Sequence, residues 1–430
     1  MQKFDVIVVG AGPSGTAAAY LLARSGLRVL VIERGEKPGA KNVMGGVLYR
    51  RMMDDIIPGF DREAPLERAI ISQSLWVVGA DAVTSIGHQN ERFARPPYNN
   101  FTVLRAKFDP WFAQRAVEQG AVLVCETVVT DLLKEGNQVV GVKTDRPGGE
   151  VLADVVIIAE GANALVSEAA GLRQPIRAAD YSLAVKEIIA LPREKIEDRF
   201  HLEGNEGATI ELVGEIGRGM VSMGFIYTNR DSLSVGIGAL ISDLRRAGVH
   251  PYELLDQMKE HPVVRRLIAG GETKEYLAHL IPEGGYDAVP HLYGDGYLVV
   301  GDAGGLVNAV HREGSNLAMT SGRFAAETVV RAKQAGAYSA SALSGYAEKL
   351  RSSFVLQDLK QYRRLPAFLA RTPELFNQFP GLLNDAAYQI ALVDGVSKRE
   401  KFAAALRAAR RQVGTSRLVR IGYEGWRALR

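Results

Sequence analysis

The N-terminal part of the chain alternates between short apolar runs and one helical run of small residues. Residues 4–9 form an apolar run typical of a buried strand, and a glycine-rich turn at residues 10–15 follows it directly. Residues 16–24 are rich in Ala and Leu and predict a helix, and residues 28–32 predict a second buried strand that ends at Glu33. The order of strand, glycine turn, helix, strand and acidic residue is typical of a βαβ unit that binds a dinucleotide.

Further along the chain, the pattern predicts a region rich in strands and then a long helical region. Asp109 and Pro110 predict the N-cap and the first position of a helix within residues 106–119. Residues 220–227 and 232–240 flank a polar turn and predict a hairpin. The other predicted elements are strands at 121–125, 138–144, 151–159 and 297–300, helices at 251–268 and 317–333, and helical sequence from there to the end.

The composition is that of an ordinary globular protein, with 430 residues of which 47% are hydrophobic and 23% charged. This excludes a disordered or fibrous chain, and the net charge of +3 gives no reason to expect nucleic-acid binding. The single cysteine, Cys125, excludes an internal disulfide, a cysteine-ligated zinc site and an iron–sulfur cluster within the chain, and no metal site is predicted. No apolar run reaches the roughly 20 residues that cross a bilayer, so we expect a protein that is soluble or lies on a membrane surface.

The glycine-rich turn has a residue for each task that dinucleotide binding requires. Gly10 allows the tight turn, Gly12 lets the backbone approach a pyrophosphate, and Gly15 lets helix and strand pack closely. The N-terminus of the helix offers N–H groups to the phosphates. Glu33 is placed to accept hydrogen bonds from a ribose diol.

Three separated segments resemble the glutathione-reductase-type FAD fold, in the branch that includes aromatic hydroxylases, geranylgeranyl reductases and electron-transfer flavoprotein:quinone oxidoreductases. They are residues 10–15 with Glu33, residues 155–163 with Glu160 in place of the family's Asp, and residues 301–303 followed by 314–316. The resemblance implies an α/β protein with a Rossmann-like FAD domain, a β-rich quinone or substrate domain and a helical C-terminal region. The expected boundaries are 1–75, 101–175 and 285–340 for the FAD domain, 76–100 and 176–284 for the β-rich domain, and 341–430 for the helical region.

The resemblance implies FAD as the cofactor and assigns one set of residues to its binding. The set comprises Gly10, Gly12, Pro13, Ser14, Gly15, Glu33, Arg34, Lys41, Asn42, Gly45, Gly46, Arg105, Val128, Glu160, Gly161, Gly301, Asp302, Gly314, Ser315 and Asn316.

Several of these residues have a specific role in proteins of this fold. Asp302 is expected to bond the ribityl chain or a water on the pyrophosphate, and residues 314–316 to bring N–H groups to the pyrimidine edge of the flavin. Arg105 is expected to reach the phosphates, unless it is an ordinary surface arginine. Residues 45 and 46 are expected to lie against the ring, with Lys41 or Asn42 bonding its N5 or O4 side.

Residues 41–46 and 311–319 are similar to FixC-type proteins, the flavoprotein subunits of electron-bifurcating FixABCX complexes. This implies electron-transfer flavoprotein α and β subunits, a small ferredoxin-like FixX and a membrane quinone as partners, at the inner face of the cell membrane. The lack of cluster-ligating cysteines fits a cluster on a separate subunit, and equally a reductase or hydroxylase without one. No second strand–GxGxxG–helix unit is present, so a dedicated NAD(P)H domain is not expected.

Three further features have two interpretations each. His311 is either a proton donor near the flavin and quinone or a structural histidine. Residues 95–101 and 365–383 either form an apolar quinone entrance or belong to the core. Residues 398–430, which are strongly basic, either meet anionic lipid or an acidic partner or form a solvated face.

The leading hypothesis is an FAD-dependent subunit that takes electrons from the electron-transfer flavoprotein and reduces a membrane quinone. The alternatives within the same fold are a geranylgeranyl-reductase-like or hydroxylase-like flavoenzyme. A non-catalytic assembly subunit that retains FAD is the alternative from a different class.

Overall fold

The computed structural model describes residues 3–40 and 44–430, so the predicted site residues Lys41 and Asn42 lie outside the described part of the chain. The strands are β1 (Lys3–Val9), β2 (Val29–Ile32), β3 (Val47–Tyr49), β4 (Leu66–Val78), β5 (Val83–Gln89), β6 (Asn100–Val103), β7 (Val122–Val124), β8 (Val129–Glu135), β9 (Gln138–Thr144), β10 (Glu150–Ile158), β11 (Tyr181–Ala190), β12 (Glu206–Gly214), β13 (Ser222–Thr228), β14 (Ser232–Leu240), β15 (Glu272–Pro282), β16 (Tyr293–Gly294) and β17 (Tyr297–Val299). The helices are α1 (Pro13–Arg24), α2 (Arg50–Asp54), α3 (Arg105–Glu118), α4 (Leu165–Ala169), α5 (Arg193–Phe200), α6 (Ile241–Ala247), α7 (Pro251–Glu260), α8 (Pro262–Ile268), α9 (Ser315–Ala335), α10 (Ala340–Leu343), α11 (Gly345–Ser352), α12 (Phe354–Gln361), α13 (Leu365–Ala370), α14 (Glu374–Asn377), α15 (Phe379–Ala391), α16 (Lys398–Val413) and α17 (Thr415–Ala428).

The chain divides into two compact units, each built from separate stretches of sequence. Unit 1 contains Met1–Leu66, Asn99–Asp180 and Leu280–Lys360, and unit 2 contains Glu67–Tyr98, Tyr181–His279 and Gln361–Arg430. The expected α/β class with a nucleotide-binding domain, a β-rich domain and C-terminal helices is confirmed. The division differs from the expected boundaries at the C-terminus, because most of the predicted helical region belongs to the β-rich unit.

Unit 1 is organised around a mostly parallel sheet. Its strand order is β16-β17-β10-β1-β2-β7, and β8 and β9 form an antiparallel extension from β10. The first strand pairs in parallel with β2 on one side and β10 on the other, with Val6 opposite Val29 and Val155. These central strands are buried on both faces, which explains their continuous apolar sequence.

Two helices, α1 and α9, pack side by side in unit 1 at very close range. A Cβ added at Gly322 would lie 2.1 Å from the carbonyl oxygen of Ser14. Only glycine fits this crossing, because a side chain would force the two backbones apart. The contact brings the N-terminal half of α9 alongside the start of α1, which follows the first glycine motif.

Unit 2 contains a largely antiparallel sheet with strand order β15-β11-β14-β13-β12-β4, and β5 pairs with β4. The predicted hairpin is confirmed, since β13 and β14 pair antiparallel from Ser222 opposite Ala239 to Thr228 opposite Leu233. Helices α5, α7 and α8 cover an apolar core on this sheet that includes Leu212, Ile226 and Met258.

The C-terminal helices of unit 2 attach to the same sheet. The Asn384 side chain on α15 accepts a hydrogen bond from Thr84 at 3.1 Å and donates one to the Val77 carbonyl at 3.0 Å. Phe368 and Phe376 are buried. Within residues 365–383 these two rings therefore belong to packed interior, which is the alternative to a quinone entrance.

Two predictions about helices are wrong in detail. Asp109 does not cap α3, because the helix begins at Arg105 and both Asp109 and Pro110 lie inside it. The predicted helix at 251–268 is two helices, since Pro262 begins a new one after His261. Among the described residues, no helix is both long and apolar enough to cross a bilayer.

Candidate cofactor site

The turn between β1 and α1 has the geometry that its glycines predict. Gly10 adopts φ +103°, and an added Cβ would lie 2.4 Å from the Ala159 carbonyl oxygen at the end of β10. A Cβ at Gly15 would lie 2.0 Å from the Gly10 carbonyl oxygen. Both positions therefore require glycine for the close approach of turn, helix and strand.

Gly12 differs from these two glycines because it faces open space. A Cβ added there meets no atom within 4 Å. Gly12 is also the N-cap of α1, and no side chain caps the helix. The helix therefore presents its first-turn N–H groups, where Ser14 and Gly15 stand, to a space that an anion can occupy.

Glu33 organises the same turn through both of its carboxylate oxygens. Oε2 accepts a hydrogen bond from the Ala11 N–H at 2.9 Å, and Oε1 accepts one from the Gly35 N–H at 2.7 Å. The side chain is half-buried, so the remaining lone pairs can still accept from a ribose hydroxyl. The carboxylate thus joins the turn after β1 to the turn after β2.

The second motif lies at the end of β10, and its acidic residue makes hydrogen bonds within the protein. The Glu160 carboxylate accepts hydrogen bonds from the Val166 N–H at 2.7 Å, the Ser167 N–H at 2.8 Å and the Ser167 hydroxyl. Val166 and Ser167 lie in the first turn of α4, so the Glu160 carboxylate caps the N-terminus of this helix. Gly161, which follows, adopts φ +77° with open space at its Cβ position.

Arg105 is buried, which excludes the surface alternative. Its guanidinium makes a bidentate pair with Asp109, at 2.6 and 2.7 Å, and donates to the Met44 carbonyl at 2.8 Å. The same guanidinium lies 3.0 Å from the Cβ position of Gly45, which adopts φ +79°. The arginine therefore holds the loop that contains Gly45, and Gly46 accepts a hydrogen bond from the Val103 N–H at 2.9 Å.

Asp109 is a site residue that the sequence pattern misassigned. The sequence feature that could have predicted this pair is the spacing of four residues between Arg105 and Asp109, because residues at that spacing meet on a helix face. The Asp–Pro dipeptide pointed instead to a helix start. Burial of the pair makes it a fixed element, since either charge alone would be costly inside the protein.

The third motif places a titratable side chain, Asp302, near the guanidinium of Arg105. Burial raises the pKa of Asp302 to about 6, although the nearby guanidinium of Arg105 lowers it. Gly301 adopts φ +62°, and an added Cβ would lie 2.6 Å from the Ser14 hydroxyl oxygen. The structure therefore joins the third motif to the first through Gly301 and to Arg105 through Asp302.

Two buried amide side chains, Asn308 in the loop before α9 and Asn316 in its first turn, each have one atom without a partner among the described residues. Asn308 Nδ2 and Asn316 Oδ1 make no hydrogen bond, although both residues are almost fully buried. Asn308 Oδ1 accepts from the backbone N–H groups of Val310 and His311, at 3.2 and 3.3 Å, and so shapes the loop. An unpaired donor and an unpaired acceptor fit a ligand edge that carries both kinds of group. Asn308 is a second residue missing from the sequence prediction.

The N-terminus of α9 lacks a side-chain cap, as the N-terminus of α1 does. Gly314 is its N-cap, has open space at its Cβ position, and no side chain caps the helix. The Ser315 hydroxyl donates to the Val47 carbonyl at 2.9 Å, and the Asn316 amide donates to Glu313 at 3.0 Å. The first-turn N–H groups of this long helix are thus available to a ligand with partial negative charge.

The remaining predicted residues lie at the periphery. Arg34 is exposed directly after Glu33, and His311 is exposed in the loop before α9. The Val128 N–H donates to the Asp145 carboxylate at 2.9 Å, and the Val128 carbonyl accepts from the Asp145 N–H at 2.9 Å. Both backbone groups of Val128 are therefore engaged within the protein.

These features fit a flavin dinucleotide. An open, uncapped helix start suits the pyrophosphate, and the carboxylate at the end of β2 suits a ribose. The unpaired Asn308 Nδ2 and Asn316 Oδ1, with the uncapped N-terminus of α9, suit the polar edge of a flavin ring. Within the described residues, no group of three or more His, Cys, Asp or Glu side chains could hold a metal ion.

Comparison with protein families agrees with this geometry. A family described as "FAD binding domain" matches residues 3–202, and one described as "ETF-QO/FixC family C-terminal domain" matches residues 365–430. FAD is therefore the cofactor, as the resemblance implied.

Curated relatives match over the whole chain. Protein FixC of Bradyrhizobium diazoefficiens is 50% identical, with 100% of this chain and 99% of the relative covered. Protein FixC of Azotobacter vinelandii is 50% identical over 93% of both chains. A probable electron transfer flavoprotein-quinone oxidoreductase of Escherichia coli K12, YdiS, is 37% identical over 100% of this chain and 99% of its own.

Solved structures share the fold at low sequence identity. A geranylgeranyl bacteriochlorophyll reductase-like protein from Thermoplasma acidophilum has a TM-score of 0.75 and 21% identity, covering 96% of this chain and 98% of its own. The flavin-dependent brominase Bmp2 has a TM-score of 0.66 and 18% identity, covering 96% of this chain and 100% of its own. At this identity the likeness concerns the fold alone.

Proposed function

This chain belongs to the FixC family of FAD-dependent oxidoreductases, and we propose that it takes electrons from a two-subunit electron-transfer flavoprotein and delivers them to a membrane quinone. The observation that carries the proposal is the match to FixC proteins at 50% identity over the whole chain. A role in electron transfer follows from the family. The donor, the acceptor and electron bifurcation within a larger complex are proposed.

Different residues of the site bind different parts of the cofactor. The start of α1, open at Gly12, binds the pyrophosphate, and Glu33 binds a ribose. FAD, when bound, supplies redox chemistry in which electrons are exchanged singly or in pairs.

Charge at the site favours a bound cofactor that gains negative charge. The uncapped N-terminus of α9 directs its positive dipole end toward the space beside Gly314. The Arg105–Asp109 pair keeps a guanidinium fixed near Asp302 without adding net charge. The helix end stabilises negative charge on the reduced cofactor, and the neutral pair fixes the loop at Met44 and Gly45.

His311 is proposed as the group that gives a proton to the reduced quinone. Its exposed position in the loop before α9 gives a ligand access to the imidazole, a group that often acts as a general acid or base. The Asn308 side chain, which accepts from the His311 N–H, sets the position of the loop.

The proposed partners follow from the chain's own composition as well as from the family. With Cys125 as its single cysteine, this chain cannot ligate an iron–sulfur cluster by itself. A small ferredoxin-like protein of the FixX type would supply that cluster, and FixA- and FixB-like subunits would supply the electrons. Delivery to a membrane quinone places the protein at the inner face of the cell membrane as a peripheral subunit.

Anaerobic affinity purification from the native host tests the proposal. We expect FAD on this chain, further flavin, iron and sulfide in the eluate, and co-eluting electron-transfer flavoprotein and ferredoxin-like subunits. A single FAD without iron or partners, together with rapid bleaching by NADH or NADPH alone, would instead support a reductase or hydroxylase of the same fold.

A further inference from the structure

A groove on the surface of unit 1 lies between three helices. It has a volume of about 690 Å³, and its walls are the last turn of α1, the helix α2 and the part of α9 from residue 323 to residue 334. That volume is within the range of small-molecule sites in proteins. The last turn of α1 lies roughly 15 Å along the helix from its uncapped N-terminus, so the groove is separate from the flavin site.

Positive charge predominates in the groove, because four arginines and two carboxylates line it. They are Arg24 on α1, Arg51 and Asp55 on α2, and Arg323, Glu327 and Arg331 on α9. Arg24 donates to the Ile56 carbonyl at 3.5 Å. Among the residues that the structure describes, no carboxylate pairs with Arg24 or Arg331, so the charge of these two side chains is uncompensated.

The two carboxylates hold the other two arginines in place. Asp55 pairs with Arg51 at 3.1 Å, and its second oxygen lies 3.7 Å from a guanidinium nitrogen of Arg323. Glu327 pairs with Arg323 at 2.9 Å and also with Lys349. Both acids are therefore engaged within the protein. A guanidinium that is positioned in advance loses less side-chain entropy when it binds an anion.

The groove also has an apolar strip. Leu21 on α1 contributes to it, together with Ala326 and Val330, which lie four residues apart on one face of α9. Gln334, one turn further along that face, adds an amide that both donates and accepts hydrogen bonds. The close crossing of α1 and α9 at Gly322 fixes these two walls relative to each other.

We propose that this groove binds a nucleoside diphosphate or triphosphate, as a second nucleotide site outside the flavin site. Guanidinium groups match phosphate oxygens in pairs, and consecutive phosphates engage more than one arginine. The planar base lies on the strip formed by Leu21, Ala326 and Val330, where it covers apolar surface. Binding at this groove is independent of the electron donor and acceptor that the protein uses.

Other anions match fewer features of the groove. A single phosphate or a small carboxylate would engage one arginine fork and leave the apolar strip in contact with water. An acidic protein segment carries one charge on each flexible side chain, whereas a nucleotide concentrates several charges in a compact chain and adds a planar base. The nucleotide is therefore the ligand class that uses both the arginines and the strip.

The test is equilibrium dialysis of the FAD-loaded full-length protein against ATP, ADP and adenosine, without added magnesium. Loading with FAD is necessary because ATP and ADP share the adenosine part of FAD and would enter an empty flavin site. We expect ATP and ADP to bind while FAD is retained, with an affinity that falls as salt is added. Adenosine, which has no phosphate, should bind at least about 30-fold more weakly than ATP.

Variants of the two uncompensated arginines test their contribution. Arg24→Gln with Arg331→Gln should weaken ATP binding at least about 10-fold, because charge-assisted hydrogen bonds to phosphate are lost. Both side chains are exposed, so the fold should remain intact. Arg24→Lys with Arg331→Lys keeps the charge and should restore part of the affinity. The matched control, Arg265→Gln with Arg266→Gln at exposed positions of α8, should leave ATP affinity unchanged.

Photolabelling locates the base. The probe 8-azido-ATP, bound to the FAD-loaded protein, should label the peptide that contains Leu21 or the peptide that contains Ala326 and Val330. An excess of ATP should prevent this labelling. Label confined to the glycine turn at residues 10–15 would show that the nucleotide enters the flavin site instead.

Three further results would overturn the assignment of the groove. They are the absence of saturable ATP binding, equal ATP affinity in the Arg24/Arg331 glutamine variant and its α8 control, and release of FAD in proportion to the ATP that binds. Absence of ATP binding, combined with loss of a co-purifying acidic protein from the Arg24/Arg331 variant, would assign the groove to a protein partner.

Discussion

Gly12 and Gly15 lie three residues apart in one turn, yet their surroundings differ completely. Gly15 has no room for a side chain, because the Gly10 carbonyl oxygen lies 2.0 Å from its Cβ position. Gly12 has open space and an ordinary extended backbone, with φ −73° and ψ 178°. The protein itself does not require glycine at position 12, and we propose that the bound cofactor does.

The substitution Gly12→Ala should therefore separate folding from cofactor binding. We expect the apoprotein to unfold at nearly the same temperature as the wild type, while FAD affinity falls at least about 10-fold because the methyl group occupies phosphate space. Thermal unfolding and a flavin titration measure the two effects. The control is Gly345→Ala, which also has open space but lies at the start of α11. Unchanged FAD affinity in Gly12→Ala would contradict the placement of the pyrophosphate.

Asp302 should give the apoprotein a distinct pH dependence. Its pKa in the folded protein, about 6, exceeds the ordinary value of 3.8, so burial disfavours its charged form. The folded state binds more protons than the unfolded state between these values, and stability is lost as the pH rises through about 6. Asp302→Asn removes this loss, so its stability relative to wild type should rise between pH 4 and pH 7, by at most about 3 kcal/mol. Urea unfolding at both pH values tests this, and a constant difference between the two proteins would show that Asp302 does not titrate as described.

At the scale of elements, hydrogen bonds between helices, strand ends and loops shape the site. Glu160, at the end of β10, caps α4, and Arg105 with Asp109 on α3 holds the loop at Met44 and Gly45. None of these contacts belongs to one continuous motif. They fix the start of α4 and the loop at Met44 and Gly45.

Removing the cap at Glu160 should affect stability more than cofactor binding. Glu160→Ala leaves the N–H groups of Val166 and Ser167 without their acceptor, which should cost about 1–2 kcal/mol in the free energy of unfolding. Glu160→Gln keeps a carbonyl oxygen and should restore part of the loss. FAD affinity should change less than about threefold, well below the effect of Gly12→Ala. A large fall in FAD affinity at unchanged stability would instead make Glu160 the cofactor ligand that its sequence position suggests.

The sequence predicts those parts of the fold that are determined by residues close together in the chain. The first βαβ unit follows from apolar runs and from glycine spacing within residues 4–33, and the β13–β14 hairpin follows from alternation around one turn. The start of α3 was mispredicted because the partner of Asp109 is Arg105, a relation that spacing allows but does not demand. The role of Asn308 depends on the folded loop before α9, which leaves its Nδ2 buried without a partner among the described residues.

At the scale of the whole molecule, the two units contain different chemistry. Unit 1 contains every described residue of the candidate flavin site, from Gly10 to Asn316. Unit 2 contains the large sheet and the C-terminal helices with their exposed aromatic and basic faces. This division agrees with a protein in which one unit holds the redox cofactor and the other provides contact surfaces.

Rapid mixing under anaerobic conditions tests the central claim most directly. The FAD-loaded protein is mixed with reduced electron-transfer flavoprotein, and a soluble quinone analogue is then added while the flavin absorbance is followed. The account predicts that this chain is reduced by the flavoprotein and reoxidised by the quinone, and that NADH or NADPH alone does neither. Failure of the reduced flavoprotein to transfer electrons, combined with direct reduction by a nicotinamide, would contradict it.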